Sequence, residues 1–197
     1  QSRAIGIPFA GHVPEAVSPL EASDAGQRSQ EHLINILLAC SDEEEQLRAE
    51  RLQVMTTDRL SGEQRMRELG FPNPAPLVKS YNPEKAQKLF AAFVKNGTWQ
   101  TPTLSLIKSF LDEKVDLRPY VYLRDLDAEG LATFRARLAT LLDRYKILVR
   151  DMHKAGVEFL AGTDSGPQTP NRPGSSLHDE LGLFVEAGLT PAEALRT

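Results

Sequence analysis

Short apolar runs alternate with stretches of helical period along most of this chain. Ile7-Pro8-Phe9-Ala10-Gly11-His12-Val13 is one such run, and it ends in a histidine. Residues 28–33 form a second short extended run, with His32 near its end. Residues 99–104 form a third and residues 157–163 a fourth. Runs of this length between turn residues predict strands, and strands separated by helical patterns predict a parallel sheet. Pro102 argues against a long regular ladder past that point, because proline has no N–H to donate.

Helix punctuation fits the same alternation. Ser18-Pro19-Leu20-Glu21 is a capping box with proline at the first helical position, and Gly26 is the stop. Asn82-Pro83-Glu84 opens a second helix whose Ala86, Leu89, Phe90, Phe93 and Val94 keep the helical period up to Gly97. A third helix spans about residues 128–155 and is closed by Gly156. Its predicted buried face is Leu138, Leu141, Leu142, Tyr145, Leu148, Val149 and Met152. Thr190-Pro191-Ala192-Glu193 is another capping box. Two segments, about 42–80 and 106–140, read as helical insertions. The first contains an acidic helix from Ser41 to about Thr56, a short helix over 61–69 and a stiff extended linker, Phe71-Pro72-Asn73-Pro74-Ala75-Pro76. The consecutive carboxylates of that acidic helix point in different directions, so they read as a solvated face rather than a metal cluster. Insertions placed after strands can serve as a lid or a substrate wall.

Composition narrows the class. A hydrophobic fraction of 41% and a charged fraction of 25% describe a globular chain with a core. The net charge of −4 and the lack of a basic stripe with interleaved aromatics exclude a nucleic-acid partner. No run approaches the roughly 20 apolar residues that span a bilayer. Cys40 is the only cysteine, so no internal disulfide is expected.

Chemistry concentrates at the predicted strand ends. In parallel α/β sheets and barrels, active sites lie just past the carboxyl ends of strands. Gly162-Thr163-Asp164-Ser165-Gly166 puts one carboxylate there, although Asp164 would also suit a cap or an Asx-turn. His12 and His32 occupy equivalent places 20 residues apart, room for one short helix between two strands. Neighbouring strands lie about 4.8 Å apart, so histidines at their ends can reach one ion. Imidazole and carboxylate together suit Zn, Mn or Fe better than Ca or Mg. Of the other histidines, His153 reads as a helix-surface residue, and His178 either lines the pocket or caps a helix near Ser175-Ser176. Thr101 and Thr103 either face the pocket or simply fit a strand. Glu31 reads as an ion-pair residue, and Tyr81 and Arg172 could meet a substrate carboxylate.

Gly-His-Val-Pro at 11–14, Ala-Gly-Gln-Arg-Ser-Gln-Glu-His-Leu at 25–33, Thr-Pro-Thr-Leu at 101–104 and Gly-Thr-Asp-Ser-Gly at 162–166 occur in that order. Together they resemble the second half of a metal-dependent amidohydrolase of the imidazolonepropionase-like and prolidase-like branch. Leu177-His178-Asp179-Glu180-Leu181 and the stretch 186–195 resemble that family after its last barrel strand. The resemblance implies an α/β fold, a partial (β/α)8 TIM barrel comprising strands five to eight, with helical insertions after strands six and seven. It implies that His12 and His32 are the metal histidines after strands five and six. It implies that Asp164 binds metal and handles a proton of the attacking water, and it makes His178 a candidate substrate contact, with Thr101 a second candidate by its position. The cofactor implied is divalent, zinc first, with one or two ions in the intact enzyme.

The family's His-x-His pair after strand one is absent from these residues, and its strand-four lysine would lie before Gln1. The expectation is therefore a fragment of a larger hydrolase that cleaves a C–N amide bond in a cyclic or peptide-like substrate. Alone, the fragment is expected to be inactive and to self-associate through its uncovered edges. Two other readings compete: a metal-free binding or assembly module on a degenerate barrel, and a purely helical interaction domain that would have no parallel sheet.

Overall fold

The computed structural model describes residues 2–197. After a short helix α1 (Ser2–Ile5), the chain forms strand β1 (Phe9–Gly11), helix α2 (Pro19–Asp24) and strand β2 (Gln27–Glu31). Five helices follow: α3 (Ile34–Ala39), α4 (Glu44–Thr56), α5 (Gly62–Gly70), α6 (Ala75–Lys79) and α7 (Pro83–Asn96). Strand β3 (Trp99–Thr101) and helix α8 (Leu104–Leu111) come next, then a 3-10 turn at Val121–Leu123. The long helix α9 (Ala128–Lys154), then α10 (Ser175–Glu186) and α11 (Pro191–Ala194), complete the chain.

The molecule is a helix-rich α/β protein built on one parallel sheet of order β1-β2-β3. Ser29 pairs with Trp99, Gln30 with Gln100 and Glu31 with Thr101, while β1 meets β2 with an irregularity between Phe9 and Ala10. The parallel sheet removes the purely helical reading.

The fourth predicted strand contributes one parallel bridge, Phe159 with Gln100. Gln100 donates to the carbonyl of Glu158 at 3.0 Å, and Leu160 donates to the carbonyl of Gln100 at 2.9 Å. In a parallel ladder the next donor along β3 would be residue 102, which is proline, so the pairing stops there.

The expected start and stop of α7 are present. Asn82 Oδ1 accepts from the amides of Glu84 and Lys85, and Gly97 closes α7 in the left-handed region at φ 63°. The buried face of α9 is the predicted one, extended to Phe134. Val94, expected on the inner face of α7, is exposed at the flank of that helix's apolar stripe. α6 begins inside the predicted linker, and α3, the run Ile34-Asn35-Ile36-Leu37-Leu38-Ala39, is a helix the sequence reading missed. α3 is almost wholly buried and forms the core with Phe90, Phe93, Leu104, Phe110, Leu138, Leu148 and Phe184. An all-round apolar segment carries no period that separates a buried helix from a buried strand.

Candidate functional site

Three residues just past strand ends share one backbone device. Among the described residues, only His32, Thr103 and Asp164 are non-glycine positions with positive φ, at 59°, 52° and 51°. They follow β2, β3 and the bridge segment respectively. The left-handed conformation is uncommon for any residue with a Cβ, and a genuine outlier for a β-branched one such as Thr103. Such strain clusters where a side chain must be aimed. Here it ends each strand sharply and turns three polar side chains toward one place.

That place is the meeting point of His12, His32 and Asp164. Nε2 of His12 stands 2.9 Å from Nε2 of His32, with the rings tilted at 44° and their centroids 4.8 Å apart. Oδ2 of Asp164 lies 3.9 Å from the same His32 nitrogen. His32 is also fixed at its backbone, whose amide donates to the carbonyl of Thr101 at 2.9 Å. Its pKa is lowered, first by burial and then by His12, with Asp164 pulling weakly the other way. The shift favours the neutral imidazole.

His12 is placed by the loop that follows β1. Gln27 Nε2 donates to the carbonyl of Gly11 at 2.6 Å, and Asn35 Nδ2 to that of Val13 at 2.9 Å. Further along, Arg51 of α4 grips both carboxylate oxygens of Glu15 at 2.6 and 2.7 Å, and donates to the carbonyl of Leu69 at 2.9 Å. Asp164 is placed by its own loop: Asn171 Nδ2 donates to the carbonyl of Thr163, and Thr169 Oγ1 to that of Asp164 at 3.1 Å. Tyr122 ties the loop to the second insertion by donating to the carbonyl of Gln168 at 3.0 Å.

The donor set suits a divalent ion by type, with two imidazole nitrogens and one carboxylate. It brings the two Nε2 atoms within 2.9 Å of each other. It is short in number and spread. Two ligands of a tetrahedral zinc at about 2.0–2.1 Å stand roughly 3.4 Å apart, so the histidines must open slightly and Asp164 must close in. Among the described residues no group of three or more His, Cys, Asp and Glu is already gathered at metal-holding spacing.

The three residues line a cavity of about 690 Å³. Met55, Met66, Leu69 and Phe71 from the first insertion line it, together with Ile34, Leu106 and Ile107. Glu31, expected to be an ion-pair residue, lines the cavity and makes no ion pair among the described residues. No lysine or arginine lines it among the described residues. Tyr81 lies elsewhere, beneath the guanidinium of Arg144 at 3.7 Å, and Arg172 is exposed.

Thr101 and His178 fall outside this cavity. Thr101 is buried in β3, and its methyl presses on Gly162. His178 is exposed on α10. Thr103 is the threonine that lines the cavity, and its Oγ1 stands 2.6 Å from Nδ1 of His32. The sequence holds one signal for the choice: Pro102 ends the ladder, so the residue after it leaves the sheet. His153 lies beside Glu193 at 3.6 Å on the helical surface, as expected.

Glu180 was missed altogether. It is fully buried on α10, and its carboxylate accepts from the amides of Leu104 at 3.0 Å and Ser105 at 2.6 Å. These are the first amides of α8, whose preceding residue Thr103 makes no side-chain cap. Glu180 thus caps a helix from another helix. Burial pushes its pKa up to about 7, against the pull of those amides.

No family model matches the chain, and no curated protein matches it. Among solved structures it superposes on one named bottromycin amidohydrolase, with a TM-score of 0.62 and 24% identity over 98% of this chain. The match covers 39% of that chain, so the present residues span well under half of its length. At this identity the likeness is one of fold.

Proposed function

We propose that this chain is the C-terminal half of an amidohydrolase barrel, strands five to eight, and that it supplies part of an active centre for hydrolysing a C–N amide bond. The observation that carries this reading is the convergence of His12 Nε2, His32 Nε2 and Asp164 Oδ2 past the ends of neighbouring strands. The fold likeness to an amidohydrolase supports it.

In this reading His12 and His32 hold a divalent ion, zinc by preference, and Asp164 is its carboxylate ligand. When bound, such an ion lowers the pKa of water to about 7 and polarises the scissile carbonyl. Asp164 accepts the proton of the attacking water and delivers it to the leaving nitrogen. Met55, Met66 and Phe71 of the first insertion offer apolar surface to the substrate. The lining is mostly apolar among the described residues, which suits a neutral cyclic or peptide-like amide.

In an enzyme that contains this chain, His12→Ala and His32→Ala should lower metal content and rate together. Asp164→Asn should lower rate more than metal content, because it also removes the proton acceptor. The chain alone should bind metal weakly and hydrolyse nothing, since zinc sites usually want three or four ligands in fixed geometry. Elemental analysis beside an amide-hydrolysis assay decides this. Normal metal and activity in all three variants would overturn the site. A metal-free binding module is the second reading, favoured by the direct hydrogen bond between the two histidines. It predicts no metal in any variant and an intact apolar cavity.

A further inference from the structure

We infer that Thr103 is a positioning residue that fixes His32 as the tautomer protonated on Nδ1, leaving Nε2 bare toward His12 and Asp164. The argument is one of proton counting. Thr103 Oγ1 lies 2.8 Å from the carbonyl oxygen of Pro102 and 2.6 Å from Nδ1 of His32. A hydroxyl has one proton to donate, and a carbonyl oxygen can only accept. If the hydroxyl turned its proton to the ring, its lone pairs would face the carbonyl oxygen, and a buried acceptor would lose its partner. That arrangement costs more than the alternative. The hydroxyl therefore donates to Pro102 and accepts from His32, so Nδ1 carries the proton.

The surroundings hold Thr103 to this task. It is buried and sits at φ 52°, a conformation β-branched residues avoid. Leu106 donates to its carbonyl at 3.1 Å, and Glu180 binds the next two amides. His32 is bound to the same strand end twice, by its amide to Thr101 and by its ring to Thr103. A bare Nε2 on His32 then accepts from Nε2–H of His12 across 2.9 Å when no ion intervenes. The catalytic consequence rests on the proposed function, where a ligating imidazole needs its far nitrogen tied to an acceptor. The tautomer itself does not.

The test is long-range proton–nitrogen correlation NMR on the chain labelled with 15N-histidine, treated with chelator and recorded above pH 8. Wild type should show His32 protonated on Nδ1. Thr103→Ser should keep that pattern. Thr103→Gly, which suits the left-handed backbone and so spares the fold, should shift His32 toward the Nε2-protonated form. Wild type protonated on Nε2, or no change in Thr103→Gly, overturns the inference. Zinc titration of the same samples separates it from the functional reading. Thr103→Gly should weaken zinc binding roughly 10–100-fold, while Thr103→Ser stays close to wild type. If the tautomer moves as expected but even a large excess of zinc binds neither the variants nor the wild type, Thr103 keeps its role and the weak metal binding expected of the chain is refuted.

Discussion

Gly162 and Thr101 touch so closely that a Cβ on the glycine would sit well inside 3.0 Å of the threonine's Cγ2. Thr101 is buried in β3 and cannot swing aside. This contact sets how near the segment leading to Asp164 can approach the sheet. Gly162→Ala should destabilise the chain by about 1–3 kcal/mol through overpacking, and should displace Asp164 from His32. Thr101→Ser deletes the offending methyl and keeps the hydroxyl, so the double variant should recover most of the loss. Denaturant unfolding of the four members of this cycle measures the coupling.

Glu180 makes stability depend on pH in a direction opposite to that of most paired carboxylates. Its folded pKa of about 7 lies above the ordinary 4.5. Its contribution is therefore fully present below about pH 4.5 and is lost as pH rises through 7. The change amounts to roughly 3 kcal/mol, at about 1.36 kcal/mol per pKa unit. Urea unfolding from pH 5 to pH 8 should show this slope in wild type, and Glu180→Gln should flatten it. An equal slope in both would assign the effect to other groups.

The Arg51–Glu15 pair fastens the first insertion to the loop that carries His12. Arg51→Ala removes the cation, leaves a largely buried carboxylate unpaired and frees the carbonyl of Leu69. A loss of about 3 kcal/mol is expected. Cleavage between α4 and α5 in limited proteolysis should quicken together with it. Arg51→Met combined with Glu15→Leu should restore much of the stability, since an apolar pair can replace a buried ionic one.

The exposed rim at the β1 edge carries Ile5, Ile7 and Phe9, at 68%, 58% and 38% exposure. β1 pairs on one side only, so its other edge offers free backbone groups beside apolar side chains. Light scattering should detect concentration-dependent self-association, and Ile7→Lys should suppress it. A monodisperse monomer at high concentration would count against this.

Much of the frame was legible because it is written locally. Ser18 with Glu21, Thr190 with Glu193 and Gly97 after Asn96 each set a helix end through neighbours a few residues away. The strand-end places of His12, His32 and Asp164 were legible by position and family resemblance. What the sequence hid depends on distant contacts. Glu180 meets Leu104 from 76 residues away, and nothing local marks it as a cap. The choice of Thr103 over Thr101 turns on a left-handed backbone that only the packed fold imposes. The acidic start of α4 read as solvent-facing, and its later turns proved to carry Arg51 and one wall of the cavity.

The left-handed backbone at His32, Thr103 and Asp164 sets folding against chemistry. Each such residue costs of order 1–3 kcal/mol, and glycine would relieve the strain at every one. A library of this chain sorted only for resistance to heat or protease should therefore drift toward glycine at positions 32, 103 and 164, and each gain would erase a group of the proposed site. The same library sorted for function should keep all three and accumulate its stabilising changes elsewhere.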